Sequence, residues 1–183
     1  VTTRCAQTAI GGEHALCTRA RDFDEREACS PFMMRIAMKT SSVTVRMATI
    51  DDADALARLA TALGYSTTTT AMEERLLTLR YDDDHAVFVA VEGGEVRGFA
   101  HIAVRASLLS DLTLEVLALV VDERARGRGL GRALQNAIEA EGRSRGLDEV
   151  RVSSNIARER AHRFYEANGY ARVKVQVVLK RAL

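Results

Sequence analysis

Residues 112–131 read LTLEVLALVVDERARGRGLG, and the order of chemistry inside this stretch decides the fold. From Leu112 to Val121 the chain is leucine and β-branched residues broken only by Thr113, Glu115 and Ala118, the composition of a strand buried on both faces. Leu130, Leu134 and Ile138 then recur at helical spacing with Ala133 and Ala137 beside them, and Arg143 and Arg145 precede Gly146, a C-terminal stop. Strand, glycine turn and helix therefore follow one another directly. Gly127, Gly129 and Gly131 leave backbone N–H groups unshielded at the start of that helix, whose N-terminus carries roughly half a positive charge. Such a turn suits a pyrophosphate, and Arg126 and Arg128 add guanidinium donors that match phosphate geometry as mobile cations.

Two common phosphate loops do not fit. A Walker loop ends Gly-Lys-Ser/Thr, and the dinucleotide fingerprint is Gly-x-Gly-x-x-Gly near the first strand of its unit. Here the glycines are spaced Gly-x-Gly-x-Gly, well past the middle of the chain. A second segment lies some thirty residues on. Ala161-His162-Arg163-Phe164-Tyr165-Glu166-Ala167-Asn168-Gly169-Tyr170 reads as a short helix with Ala161, Phe164 and Tyr165 on one face and Gly169 as its stop. Arg126, Gly129 and Gly131 resemble the acetyl-CoA signature Arg/Gln-x-x-Gly-x-Gly/Ala of the GNAT N-acetyltransferase superfamily. The Ala161–Tyr170 helix is similar to that superfamily's second motif, Ala-x-x-Phe-Tyr ending at Asn-Gly-Tyr/Phe. The resemblance covers residues 43–183 and does not reach the first 42.

The rest of the chain is read around these motifs. Val43–Met47 alternates as a first strand, and Asp51-Asp52 opens a helix through Leu63 that Gly64 ends. Thr70-x-x-Glu73 has the form of a capping box for a second helix to about Arg80. Residues 85–91 and 96–104 flank Glu92-Gly93-Gly94-Glu95, a hairpin signal. Residues 148–153 read as a strand, and a last pair of strands is expected over 170–173 and 175–180. The resemblance implies an α/β fold with a mixed, mostly antiparallel sheet of six to seven strands, flanking helices, and a strand pair splayed at the cofactor site.

The same resemblance implies transfer of an acetyl group from acetyl-CoA to a primary amine by direct attack in a ternary complex. A lysine-like amine, with a pKa near 10.4, is neutral in only about one molecule in a thousand at pH 7, so a proton must leave before attack. Tyr165 matches a tyrosine that in this superfamily often sits beside the CoA sulfur, which makes it the candidate donor to the departing thiolate. Glu115 is the one acid in an apolar strand; desolvation there would raise its pKa, and it is the candidate base or acceptor contact. Strand alternation places Glu115, Leu117, Leu119 and Val121 on one face. Superfamily members commonly bind the pantetheine arm with main-chain groups of the matching stretch, so the resemblance implies that role for Leu119, Val120 and Val121, in the manner of an added strand. Arg126, Gly127, Arg128, Gly129, Leu130, Gly131 and Arg132 form the implied pyrophosphate cradle, and Asn155 matches a cofactor-contacting position. Arg158 and His162 are weaker candidates. Asp82-Asp83-Asp84 reads as a solvated turn rather than a metal site, and the implied reaction needs no metal.

Composition bounds the alternatives. The chain has 183 residues, 47% hydrophobic, with a net charge of +1, which suits a packed core and argues against a general nucleic-acid footprint. No apolar run reaches transmembrane length, so a cytoplasmic location and no membrane partner are expected. Cys5, Cys17 and Cys29 are too few and too oddly spaced for a disulfide framework or a zinc site. Residues 1–42 show no sustained period and are expected to be a poorly ordered extension, with Met33 or Met38 as a natural start; residues 43–183 form the catalytic domain. Acids near the expected acceptor side, Glu115 and Asp111, favour a cationic small molecule. A peptide or protein amine, a non-catalytic acyl-CoA-binding or protein-interaction module, and a homodimer stay open.

Overall fold

The computed structural model describes residues 42–182. The expectations for the N-terminal extension, its cysteines and the start at Met33 or Met38 fall outside the described residues.

The elements in chain order are β1 (Val43–Met47), α1 (Ala53–Ala62), α2 (Thr69–Leu79), β2 (His85–Glu92), β3 (Glu95–Ser107), β4 (Ser110–Val121), α3 (Leu130–Ser144), β5 (Val150–Val152) and α4 (Glu159–Ala167). The strands form one sheet in the order β1-β2-β3-β4-β5, antiparallel except for β4 with β5. Alternation along β2 divides the core into two. Phe88 and Ala90 pack with Ile102, Leu114, Val116, Leu130, Leu134 and Ile138 beneath α3. Val87 and Val89 pack with Leu56, Leu59, Met72, Phe99 and Val120 beneath α1 and α2.

Local chemistry accounts for the element ends. Asp52 accepts both guanidinium nitrogens of Arg46, at 2.7 and 2.8 Å, and the Thr49 backbone N–H at 2.8 Å, which ties β1 to the 3₁₀ turn that leads into α1. These contacts hold its carboxyl below the ordinary aspartate value. The N-cap of α2 is Thr68, whose hydroxyl accepts from Ala71 N–H at 3.1 Å, so the capping box expected at Thr70 does not form. Gly93 and Gly94, with φ of +63° and +85°, make the two-residue turn between β2 and β3. Gly98 lies close against β4: an added Cβ would lie 2.8 Å from the Val120 carbonyl oxygen.

Among the described residues the sheet has five strands rather than six or seven. Residues 170–182 form no strand, and Val173, Val175, Val177 and Leu179 are each more than four-fifths exposed. Their alternation says which face each side chain would show. Pairing needs an edge as well, and β5 offers only three residues.

A second correction concerns β4. His101 pairs with Ala118 while Ile102 pairs with Val116, so Leu117 is an extra residue in the β4 strand, a bulge. The bulge reverses the alternation beyond it. Leu119 and Val121 pack on the α3 side, whereas Ala118 and Val120 pack on the α1/α2 side. Glu115, Leu117, Leu119 and Val121 therefore do not share one face.

Candidate functional site

The site begins where β4 ends. Asp122 accepts the Arg124 N–H at 3.0 Å and ties to Arg97 at 3.3 Å, turning the chain through a 3₁₀ segment at Glu123–Ala125. Gly127 (φ +78°) and Gly129 (φ +89°) then take left-handed conformations, and Gly129 is the N-cap of α3. Donation from Ala133 N–H to the Gly129 carbonyl is the first α-helical bond. The N–H groups of Leu130, Gly131 and Arg132 consequently have no intrahelical acceptor and point out of the helix N-terminus.

The arginines of this turn each have a polar partner. Arg126 pairs with Glu123 at 2.5 Å. Arg128 donates to the buried Glu92 carboxylate at 3.2 Å and to the Arg124 carbonyl at 3.0 Å. Arg132 donates to the Asn168 side-chain oxygen, linking the first turn of α3 to the end of α4. Acids that lie far away in sequence, such as Glu92, set these orientations. A cavity of about 340 Å³ opens beside the turn, lined by Arg58 and Ala62 of α1 with Arg97, Arg124 and Arg126. Arg58 carries no local sequence signal for this role, since only the packing of α1 brings it to the end of β4.

β5 pairs with β4 only at Leu114, Glu115 and Val116. Among the described residues, no strand lies beside the edge of β4 away from β3 from Leu117 to Val121. That unpaired edge runs straight into the glycine turn.

α4 lies against the turn: a Cβ added at Gly131 would meet the Phe164 ring at 3.3 Å. Tyr165, next in the chain, has its ring 5.2 Å from Phe164 and 5.3 Å from Tyr170. Burial, and then the neighbouring Tyr170, push its phenol up to about 12, so it stays protonated across the neutral range and can donate. Glu115 faces the α1/α2 side and is bound to Arg105 at 2.7 Å, so it is not the isolated carboxylate that the strand sequence suggested. Asn155 uses its side-chain oxygen on Ala157 N–H at 2.9 Å and its carbonyl on Arg158 N–H at 2.9 Å, the bonding of a turn former. Arg158 reaches the Leu63 carbonyl at 3.3 Å, and Asp82 accepts from Asp84 N–H. Among the described residues no helix is long and apolar enough to cross a membrane.

A pair of residues that the sequence reading did not single out lies on the α1/α2 side of the sheet. His85 Nδ1 and His101 Nε2 are 2.9 Å apart across β2 and β3. His101 lines a cleft of about 550 Å³ between α2 and the sheet, with Leu56, Met72, Leu76 and Phe99 among its walls. Burial, and secondarily His85, lower the His101 pKa to about 4. Two histidines sixteen residues apart carry no motif; only the hairpin register brings them together.

The sequence profile of the acetyltransferase (GNAT) family matches residues 53–170. The chain belongs to that family. The match runs from the start of α1 to the tyrosine after α4 and includes the glycine turn. An aminoglycoside N(6′)-acetyltransferase of Stenotrophomonas maltophilia is 30% identical over 151 residues, 80% of this chain and 97% of that protein. A mycothiol acetyltransferase of Thermobispora bispora is 40% identical over 101 residues, 54% of this chain, and the chain spans only 34% of that relative. The GNAT fold is shared with an aminoglycoside N-acetyltransferase solved with CoA, at a TM-score of 0.71, 18% identity, 78% of this chain and 97% of that one. It is shared too with a glucosamine-6-phosphate N-acetyltransferase of Arabidopsis thaliana, at a TM-score of 0.66, 21% identity, 76% of this chain and 98% of that one.

Proposed function

We propose that this GNAT chain transfers the acetyl group of acetyl-CoA to a primary amine of a cationic small molecule, by direct attack in a ternary complex in the cytoplasm. The observation that carries the reading is the continuity of the unpaired β4 edge with the glycine turn: an extended arm can add to Leu119–Val121 as a strand while its pyrophosphate meets the free N–H groups of Leu130–Arg132. Arg126, Arg128 and Arg132 flank that anion. Gly127, Gly129 and Gly131 let the backbone approach it. Asn155 is assigned to the turn that borders the cofactor rather than to a direct contact.

The chemistry asks for a donor to the leaving thiolate and a route for the amine's proton. Tyr165 is assigned as the donor, since its raised pKa keeps the phenol proton in place until the thiolate appears. Glu115, fixed by Arg105, is assigned to hold the acceptor's ammonium rather than to act as the base. The similarity to an aminoglycoside acetyltransferase along nearly its full length supports a cationic acceptor.

Thiol release measured with acetyl-CoA across a panel of primary amines tests the activity. Turnover on at least one amine is expected, with Tyr165→Phe lowering kcat by about 10²-fold while the Kd for acetyl-CoA is unchanged. Stabilisation by acetyl-CoA with no turnover on any amine would instead identify a non-catalytic acyl-CoA-binding module.

A further inference from the structure

We infer that the cleft between α2 and the β2–β3 face receives the acceptor, an amine carried on an apolar body, and that His101 and His85 relay the amine's proton out to Asp82 and solvent. The inference rests on the transferase reading above and names its acceptor class and its proton route.

The cleft's walls set the acceptor class. Leu56, Met72, Leu76, Leu79, Val87 and Phe99 supply most of the lining, so an apolar group gains by entering, whereas a polyol would lose hydrogen bonds there. Glu74 and Arg75 of α2 also line it, and Glu115 with its Arg105 partner lies on the same sheet face. A cationic head therefore has carboxylates to meet while its body is buried.

The position of His101 links the cleft to the reacting strand. His101 is the cross-strand partner of Ala118, the residue just past the β4 bulge and next to the Leu119–Val121 edge assigned to the donor arm. Paired strands lie about 5 Å apart, so an arm on the far edge of β4 is about 10 Å from the β3 backbone, and the acceptor spans that gap over Ala118. The charged groups facing the histidine pair are Asp82 from the turn before β2, Glu74 and Arg75 from α2, and the Arg105–Glu115 pair.

The relay runs in one tautomer of the pair, since the 2.9 Å contact between the rings serves either direction. Asp82 Oδ2, 3.8 Å from His85 Nε2 and so beyond hydrogen-bond distance, attracts a proton on that nitrogen. His85 Nδ1 is then an acceptor, the proton between the rings belongs to His101 Nε2, and His101 Nδ1 carries the lone pair. A proton taken at His101 Nδ1 moves the Nε2 proton to His85 Nδ1, and the His85 Nε2 proton passes to Asp82 or water; proton exchange with water returns both rings to their starting tautomers before the next turnover. Asp82 is half exposed, so the chain ends at solvent. The balance is complete. The ammonium R–NH₃⁺ releases one proton through the relay, and its nitrogen forms the C–N bond as the C–S bond breaks. The thiolate takes the Tyr165 proton, and the second amine proton restores the phenol. The products are the amide, CoA thiol and one proton in water.

The test is steady-state thiol release by the full chain with 2-phenylethylamine and with spermidine, for wild type, His101→Gln and His85→Gln. 2-Phenylethylamine is expected to have a kcat/KM at least tenfold above that of spermidine; the reverse order overturns the acceptor class. With the better amine at pH 7, both variants are expected to lose about 10²-fold in kcat with KM for acetyl-CoA unchanged. The loss should shrink as pH approaches the amine's own pKa, where the relay is no longer needed. A His101→Gln enzyme within twofold of wild type at pH 7, or one equally impaired at every pH, overturns the relay and leaves the transferase reading standing. A wild-type chain that binds acetyl-CoA and acetylates no amine refutes the transferase reading and the relay together.

Discussion

Lowering the pH from 7 to 4.5 should destabilise the wild-type domain through His101, and His101→Gln should remove most of that effect. In the folded chain the ring stays neutral down to about pH 4, because burial and His85 oppose its charge. The unfolded ring has an ordinary pKa of about 6.5 and takes up a proton below it. Between these values the unfolded state binds more protons than the folded one, so stability rises with pH. The contribution is complete above about pH 6.5 and is lost as pH falls towards 4. With pKa values of about 4 and 6.5, linkage gives a loss of about 2.5 kcal/mol at pH 4.5. The ring is only partly buried, and solvent screening reduces this to about 1–2 kcal/mol. For a urea m-value near 1.5–2 kcal/mol per molar, the midpoint should fall by roughly 0.5–1 M. Carboxyls held low by partners act in a separate window: Asp52 and Asp122 lose their contributions only below about pH 3.8. Urea unfolding of residues 42–182 in the full chain, followed by far-UV circular dichroism at pH 7 and 4.5, reads the difference. If the midpoint of His101→Gln falls between these pH values as far as that of wild type, the attribution to this ring is wrong.

Gly129→Ala has room for its Cβ, so its cost is purely conformational: at φ +89° a loss of about 1–2 kcal/mol is expected, read as a lower Tm together with a weaker Kd for acetyl-CoA by calorimetry. Gly98→Ala meets a backbone oxygen instead and should cost about 1–3 kcal/mol in chemical unfolding while leaving the glycine turn's chemistry intact. Arg128→Gln strands the Glu92 carboxylate, which is 8% exposed, and should destabilise by about 1–3 kcal/mol, whereas Glu92→Gln, which leaves its arginine near the surface, should cost under about 1 kcal/mol; equal losses would show that the buried charge does not matter. Leu134→Ala, at a fully buried position beneath α3, should cost about 2–5 kcal/mol by urea titration.

Much of this fold is written locally. A buried strand, a glycine turn and an amphipathic helix are properties of adjacent residues, so β4, the turn and α3 were legible from residues 112–146 alone, as was the α4 segment that ends at Gly169. The same holds for the Gly93-Gly94 hairpin, since φ > 0 at both positions is a demand on single residues. A local pattern misleads where it needs a distant partner. The alternation in 173–179 is that of a strand, but no edge receives it. The periodicity of β4 hid the bulge at Leu117, because a bulge is a mismatch in count between two strands and neither strand contains it alone.

The site divides along the same line. The sequence by itself determined the family: the Gly-x-Gly-x-Gly turn, its following helix and the Phe164-Tyr165 helix are short-range features that adjacent residues specify. Only the tertiary structure decided how the arginines of the turn are engaged, through Glu123, Glu92 and Asn168, and that Glu115 is already bound to Arg105. It alone brought His85 to His101 and set both beside the α2 cleft. Ion pairs, ring contacts and cavities form between elements far apart in the chain, and their energies depend on distances that register and packing set.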